Sequence, residues 1–154
     1  MIYCVDTSGW LDGWQRYYPR DVFPTLWTKI EEHVNQGDLI SSEEVYREIK
    51  KKDDDLHKWI HKIQAQKSML VATEERIQLR VGSLLGTYPR LVDTLKNRSQ
   101  ADPFVIATAM ERQAVVVTGE KGGTTKLRIP DVCKVEGVRC ITFLDMIREL
   151  KFTF

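Results

Sequence analysis

Residues 101–121 read ADPFVIATAMERQAVVVTGEK, and they hold the two halves of one structural unit. Asp102-Pro103 predicts a helix start, because a short acid is a good capping side chain and proline fits the first helical turn. Phe104, Val105, Ile106, Ala107, Ala109 and Met110 then make a helix apolar enough to be central. Val115-Val116-Val117-Thr118 is a short β-branched run of the kind found in strands buried on both faces, and it ends at Gly119-Glu120. A central helix feeding a buried strand predicts an α/β protein, with Glu120 at the strand's carboxyl end.

The amino terminus repeats the pattern. Ile2 to Val5 is a second apolar run and stops at Asp6, so two carboxylates are expected at the edge where open α/β sheets bind ligands. Between these strands the periodicity is mostly helical. Trp10, Leu11, Trp14, Tyr17 and Tyr18 predict a short helix ended by Pro19; Phe23, Leu26, Trp27, Ile30 and Val34 predict another, opened near Pro24 and stopped by Gly37. Leu39-Ile40 is a minimal second strand, and Ser41-x-x-Glu44 reads as a capping box for a helix through Val45 and Ile49. Helices follow around Leu56–Ile63 and Ile77–Leu85, with a weaker one near Leu91, Val92 and Leu95. Past Glu120 the expectation is a turn after Pro130, a strand over Val138–Ile141 and a final helix from about Thr142 to Leu150. The whole of 1–154 is thus expected to form one domain, a three-layer α/β/α sandwich around a central parallel sheet.

Composition narrows the classes without choosing among them. Forty-two per cent hydrophobic residues suffice for an ordinary core, and 23 Lys and Arg against 22 Asp and Glu leave a net charge of +1. The three cysteines, Cys4, Cys133 and Cys140, are odd in number and sit among apolar neighbours, which argues for reduced thiols rather than a disulfide framework. No basic leader or long apolar run precedes the first strand, so a soluble, cytoplasmic protein without membrane contact is expected.

Four acids stand where a buried strand or an apolar-striped helix meets a polar loop: Asp6, Glu48, Asp102 and Glu120. Each has a local explanation. Asp6 and Asp102 can cap helices, Glu48 can join an ion-pair stripe with Lys52, and Glu120 can be an exposed loop acid. Glu43 and Glu44 fall in a first helical turn, where the helix dipole already accounts for them. Should the four converge, like charges in one pocket would call for protons or a divalent cation. Two other patterns carry less. HKWIH, residues 57–61, lacks the glutamate of the zinc-protease motif, and GEKGGTTK, residues 119–126, does not satisfy the phosphate-loop pattern.

Taken in order, the strand ending in Asp6-Thr7-Ser8, the segment Ser41-Ser42-Glu43-Glu44-Val45-Tyr46-Arg47-Glu48-Ile49, ADPFVIATA and VVVTGEK resemble the motif set of the PIN-domain family. The resemblance covers essentially the whole chain. It implies a fold like that of 5′ nucleases and, through the VapC-type members, a metal-dependent endoribonuclease toxin paired with an antitoxin. It places the family's catalytic metal ligands on Asp6, Glu48, Asp102 and Glu120, and its supporting hydroxyls on Ser8 and Thr118. Glu120 departs from the pattern, which usually has aspartate there; the longer arm suits contact with a metal through water.

Carboxylate oxygens suit Mg²⁺ or Mn²⁺, and the implied reaction is hydrolysis of RNA phosphodiesters to a 5′-phosphate and a 3′-hydroxyl. Arg47, Lys50, Lys121 and Lys126 flank the second and fourth motifs and are the expected RNA contacts. Trp10, Trp14, Tyr17 and Tyr18 are open to base stacking, a protein interface or core packing. The expected partners are RNA and a cognate antitoxin, and the reading admits a homodimer. Two alternatives stand beside the toxin: a housekeeping RNA-processing nuclease with the same site, and a non-catalytic scaffold whose acids only cap helices and pair with lysines.

Overall fold

The computed structural model describes residues 1–66, 69–92 and 100–154. Five parallel strands, β1 (Tyr3–Val5), β2 (Leu39–Ser42), β3 (Leu70–Val71), β4 (Val115–Val117) and β5 (Cys140–Ile141), lie in the order β3-β2-β1-β4-β5. Every residue of β1 and β4 is buried, as strands covered by helices on both faces must be. They are in register with Cys4 opposite Val116 and Val5 opposite Val117, so the chain leaves both strands at the same level. Successive strands run outward from β1 on one side, whereas β4 and β5 lie on the other. The reversal between β1 and β4 opens a crevice at their carboxyl ends, the usual ligand position in such sheets.

The helices carry the side chains that border this crevice. Asp6 leads into α1 (Thr7–Leu11), which continues as a wider π-helical stretch over Asp12–Tyr17. Then come α2 (Pro24–Gln36), α3 (Glu43–Lys52), α4 (Asp54–Gln66) and α5 (Glu75–Thr87). After them, α6 (Asp102–Arg112) packs across β1, β2 and β4. α7 (Ile129–Glu136) and α8 (Phe143–Glu149) complete the chain. Gly37 stops α2 at a φ of 84°, the left-handed cap that glycine enters without penalty. Gly9 is needed for proximity: a Cβ there would lie 2.7 Å from the Val117 carbonyl, so only glycine lets α1 sit against the end of β4. Among the described residues, no helix is long and apolar enough to cross a membrane.

Several local expectations are corrected. Ser42, not Ser41, caps α3, accepting the Glu44 N–H at 3.2 Å. Ser41 is still in the strand, where its hydroxyl donates to the Val5 carbonyl and accepts the Trp10 indole N–H, so it ties β2 to β1 and α1. Asp102 does not cap α6 either: it is the first helical residue, and Ala101 occupies the cap with no side-chain bond. The turn expected after Pro130 is the eight-residue helix α7, with proline in its first turn. β5 is shorter than the Val138–Ile141 run. β3 had no counterpart among the expected strands, because two residues between helices give no alternation to read. The weak helix near Leu91, Val92 and Leu95 lies partly outside the described residues, and its described start is a single 3₁₀ turn, Pro89–Leu91.

Trp10 and Trp14 belong to the core. With Trp27 and Trp59 they form a cluster of all four tryptophans, the closest ring pair being Trp14–Trp27 at 4.8 Å. Tyr18 packs on Phe23 and Phe143, whereas Tyr17 stays 57% exposed. Cys4, Cys133 and Cys140 are free thiols.

Candidate metal centre

Asp6 follows β1 into the crevice and is 3% exposed. Its carboxylate caps α1 by accepting the Gly9 N–H at 2.6 Å, and it also accepts the Thr118 hydroxyl at 2.7 Å and the Ser8 hydroxyl at 3.0 Å. The capping explanation of Asp6 holds, and the same carboxylate still has sites for further donors. The Ser8 and Thr118 hydroxyl oxygens lie 3.1 Å apart and accept the N–H groups of Gly119 and Glu120 respectively. Two hydroxyls thus couple Asp6 to the loop that bears Glu120. Burial pushes the Asp6 carboxyl up to about 7, the Glu120 charge adding to that and the three donors opposing it.

Asp102 enters from the opposite wall, at the start of α6, and is 7% exposed. Its carboxyl is pushed up to about 9, first by burial, then by the charges of Glu120, Asp6 and Glu48, with Lys126 opposing them. The charges of the other three acids are thus all felt at Asp102, and that of Glu120 at Asp6 as well.

Glu48 reaches the crevice from α3, where its carboxylate accepts the Thr7 hydroxyl at 2.6 Å. Its two competitors on α3 are engaged elsewhere. Glu43 accepts the Thr73 N–H and Glu44 pairs with Arg47. Glu120 turns its carboxylate to the Ile129 N–H at 3.1 Å, at the amino end of α7, where the helix dipole favours a negative charge.

The donor set is wholly carboxylate oxygen with hydroxyl support, the chemistry of a hard divalent cation. As the side chains lie, no three His, Cys, Asp or Glu groups among the described residues are gathered tightly enough to share one ion. Thr7 and Ile129 each hold one oxygen, of Glu48 and of Glu120 respectively.

Of the basic residues singled out from sequence, Lys126 is half-buried with its charge felt at Asp102, and Lys121 lines two depressions beside Glu120. Arg47 and Lys50 are exposed on α3 and line neither depression. Asp12, Arg16 and Thr7 were missed. Asp12 packs so closely on Gly119 that a methyl there would overlap its carboxylate, and it pairs with Arg16 at 3.1 Å. The i, i+4 spacing of Asp12 and Arg16 stands in the sequence, but by itself such spacing marks any exposed helical ion pair. Thr7 carried no signal beyond its place beside Asp6. His57 and His61 share the Tyr46 hydroxyl on the surface of α4.

Residues 3–154 match the model of a family described as "Domain of unknown function (DUF4411)". None of the curated proteins is similar to the chain in sequence. Among solved structures, a chain of VapBC-1 from nontypeable Haemophilus influenzae aligns at a TM-score of 0.59 and 14% identity, covering 94% of this chain and 99% of that one. A chain of VapBC2 from Rickettsia felis, bound to a DNA fragment from the complex's promoter, aligns at 0.57 and 11% identity, covering 92% and 98%. At such identities the likeness is one of fold, and it agrees with the α/β architecture read from the sequence.

Proposed function

This chain belongs to the DUF4411 family, and we propose that it is a divalent-metal-dependent endoribonuclease of the PIN type, the toxin of a toxin–antitoxin pair. The observation that carries the reading is the environment of Asp102: a carboxyl raised by burial and then by three further acids, at the topological switch point of a parallel sheet. Such a cluster is costly unless protons or a cation neutralise it. The whole-length fold likeness to chains of two VapBC structures supports the toxin assignment, with an antitoxin as partner and RNA as substrate.

Asp6 and Asp102 would be the principal ligands of Mg²⁺ or Mn²⁺, with Glu48 and Glu120 completing the set. When bound, the ion would supply Lewis acidity toward the phosphate and toward water. The chain's own residues do the rest. Ser8 and Thr118 aim hydroxyl protons at Asp6 and keep its charge oriented into the crevice. Thr7 does the same for Glu48. Lys126 offsets negative charge near Asp102, and Lys121 offers an exposed ammonium to the RNA backbone.

One observation favours a second reading. Glu48 and Glu120 each have an internal donor, as expected of a scaffold whose acids only fasten loops to helices. RNA cleavage in Mn²⁺ and in chelator, compared across wild type, Asp6→Asn and Asp102→Asn, separates the two. Cleavage that needs Mn²⁺ and is lost in both variants is expected. Undiminished cleavage in both sinks the nuclease reading, and a melting temperature unmoved by Mn²⁺ favours the scaffold.

A further inference from the structure

Two depressions meet beside Glu120, sharing Asp12, Arg16, Gly119, Glu120 and Lys121 as a common wall. They differ beyond it. The one of about 360 Å³ runs toward Ser8, Leu11, Thr124 and Arg128, which adds a third cation to Arg16 and Lys121. The one of about 370 Å³ is closed by Tyr17, Tyr18, Phe143 and Leu144. In that aromatic cavity Tyr18 is occupied with the core, stacked on Phe143 at 6.0 Å between centroids. Tyr17 is 57% exposed and Leu144 41%, so both spend apolar surface on solvent.

The backbone accounts for the presentation of Tyr17. The π-helical stretch Asp12–Tyr17 widens the turn after α1, sending Trp14 inward to the tryptophan cluster while Arg16 and Tyr17 remain on the crevice side. Insertions of this kind recur at functional sites. The stretch is also held firmly: a Cβ on Gly13 would lie 2.6 Å from the Phe143 ring, so it abuts the start of α8. An exposed ring on a fixed turn costs little entropy to stack against.

Resting on the nuclease reading above, we propose that this cavity is a base subsite: an unpaired base next to the scissile phosphate stacks on Tyr17, its backbone passing Arg16 and Lys121 toward Glu120. An aromatic face beside cations is what single-stranded nucleic acid recognises, since every base offers a π-face and every linkage a negative charge. Asp12 does not oppose this, because Arg16 already pairs with it while its side chain stays 66% exposed. The RNA therefore leaves the crevice over the α1–α8 side rather than over Arg47 and Lys50.

The test is binding in chelator, where no cleavage interferes, of a short fluorescein-labelled single-stranded RNA and of an abasic ribose-phosphate oligomer of equal length. Wild type is expected to prefer the RNA. Tyr17→Ala should weaken RNA binding about tenfold and leave the abasic oligomer unchanged, and Tyr17→Phe should stay within about twofold of wild type. Equal losses on both oligomers, no loss on either, or no preference by the wild type overturns the subsite. An antitoxin segment as the true occupant of the cavity would give the second of these results. Base-dependent binding without Mn²⁺-dependent cleavage keeps the subsite and removes the nuclease. Cleavage that Asp102→Asn abolishes while Tyr17→Ala leaves RNA affinity intact does the reverse.

Discussion

Asp6 and Asp102 are buried to almost the same degree, 3% and 7% exposed, yet the first carboxyl is raised to about 7 and the second to about 9. Around Asp6, a backbone N–H and two hydroxyls return much of what burial takes away. Around Asp102, the next contributions after burial are three like charges, which add to the cost. The comparison teaches that one residue type at one depth can be a settled structural acid or an unsatisfied one, depending on whether donors or acids face it. It also singles out the α6 wall of the crevice, rather than the β1 wall, as the place where a cation would gain most.

Removing charge is the strongest way to break the comparison. Asp102→Asn is expected to lower metal-dependent RNA cleavage more than about a hundredfold, beyond what loss of a supporting contact costs, while raising the melting temperature in chelator. Asp6→Asn should abolish cleavage comparably and raise the melting temperature less, because the donors at Asp6 already offset its charge. Equal thermal gains in the two variants would erase the distinction.

A pH series sharpens it. Both folded carboxyls lie above their ordinary value of 3.8, so the folded chain holds these protons more tightly than the unfolded one. Their contribution to stability is complete at low pH and is lost as pH rises, through about 7 for Asp6 and about 9 for Asp102. The melting temperature in chelator should therefore fall over that window, and Asp102→Asn should flatten its upper part. Mn²⁺ should shrink the fall, and parallel curves with and without the ion would remove the cation from the account.

The smallest effect concerns the donors themselves. Thr118→Val is expected to cost about 1 kcal/mol in chemical denaturation at neutral pH and about tenfold in cleavage, by depriving Asp6 of its 2.7 Å hydrogen bond. The corresponding shift would be read as a higher apparent pKa of Asp6, for instance in carboxyl NMR. An unchanged titration would mean that burial alone sets this group.

Local signals carried part of the fold. β1, β4, α2 and α6 were legible because apolar runs or helical periodicity, with Pro24, Gly37 and Pro103 as punctuation, announce them within a few residues. The capping box was misassigned because Ser41 and Ser42 are chemically equal, and only the pairing of β2 decides which of them is still in the strand. α7 was underestimated because its start, Ile129-Pro130, reads as a turn, whereas Glu120 and Asp131 supply the acceptors that begin the helix.

The sequence by itself determined that two carboxylates end two buried strands, that a third begins a central helix, and that a resemblance runs through all four acids in order. By resemblance it picked Glu48 over Glu43 and Glu44, but it could not say what Glu48 touches, nor that Asp12, Arg16 and Tyr17 stand beside Glu120. Those matters depend on strand order and on the rotation of α1 and α3 against the sheet. Charges repel and donors bind over a few ångströms of space, and residues 41 or 112 positions apart in the chain become such neighbours only when β1, β2 and β4 pair.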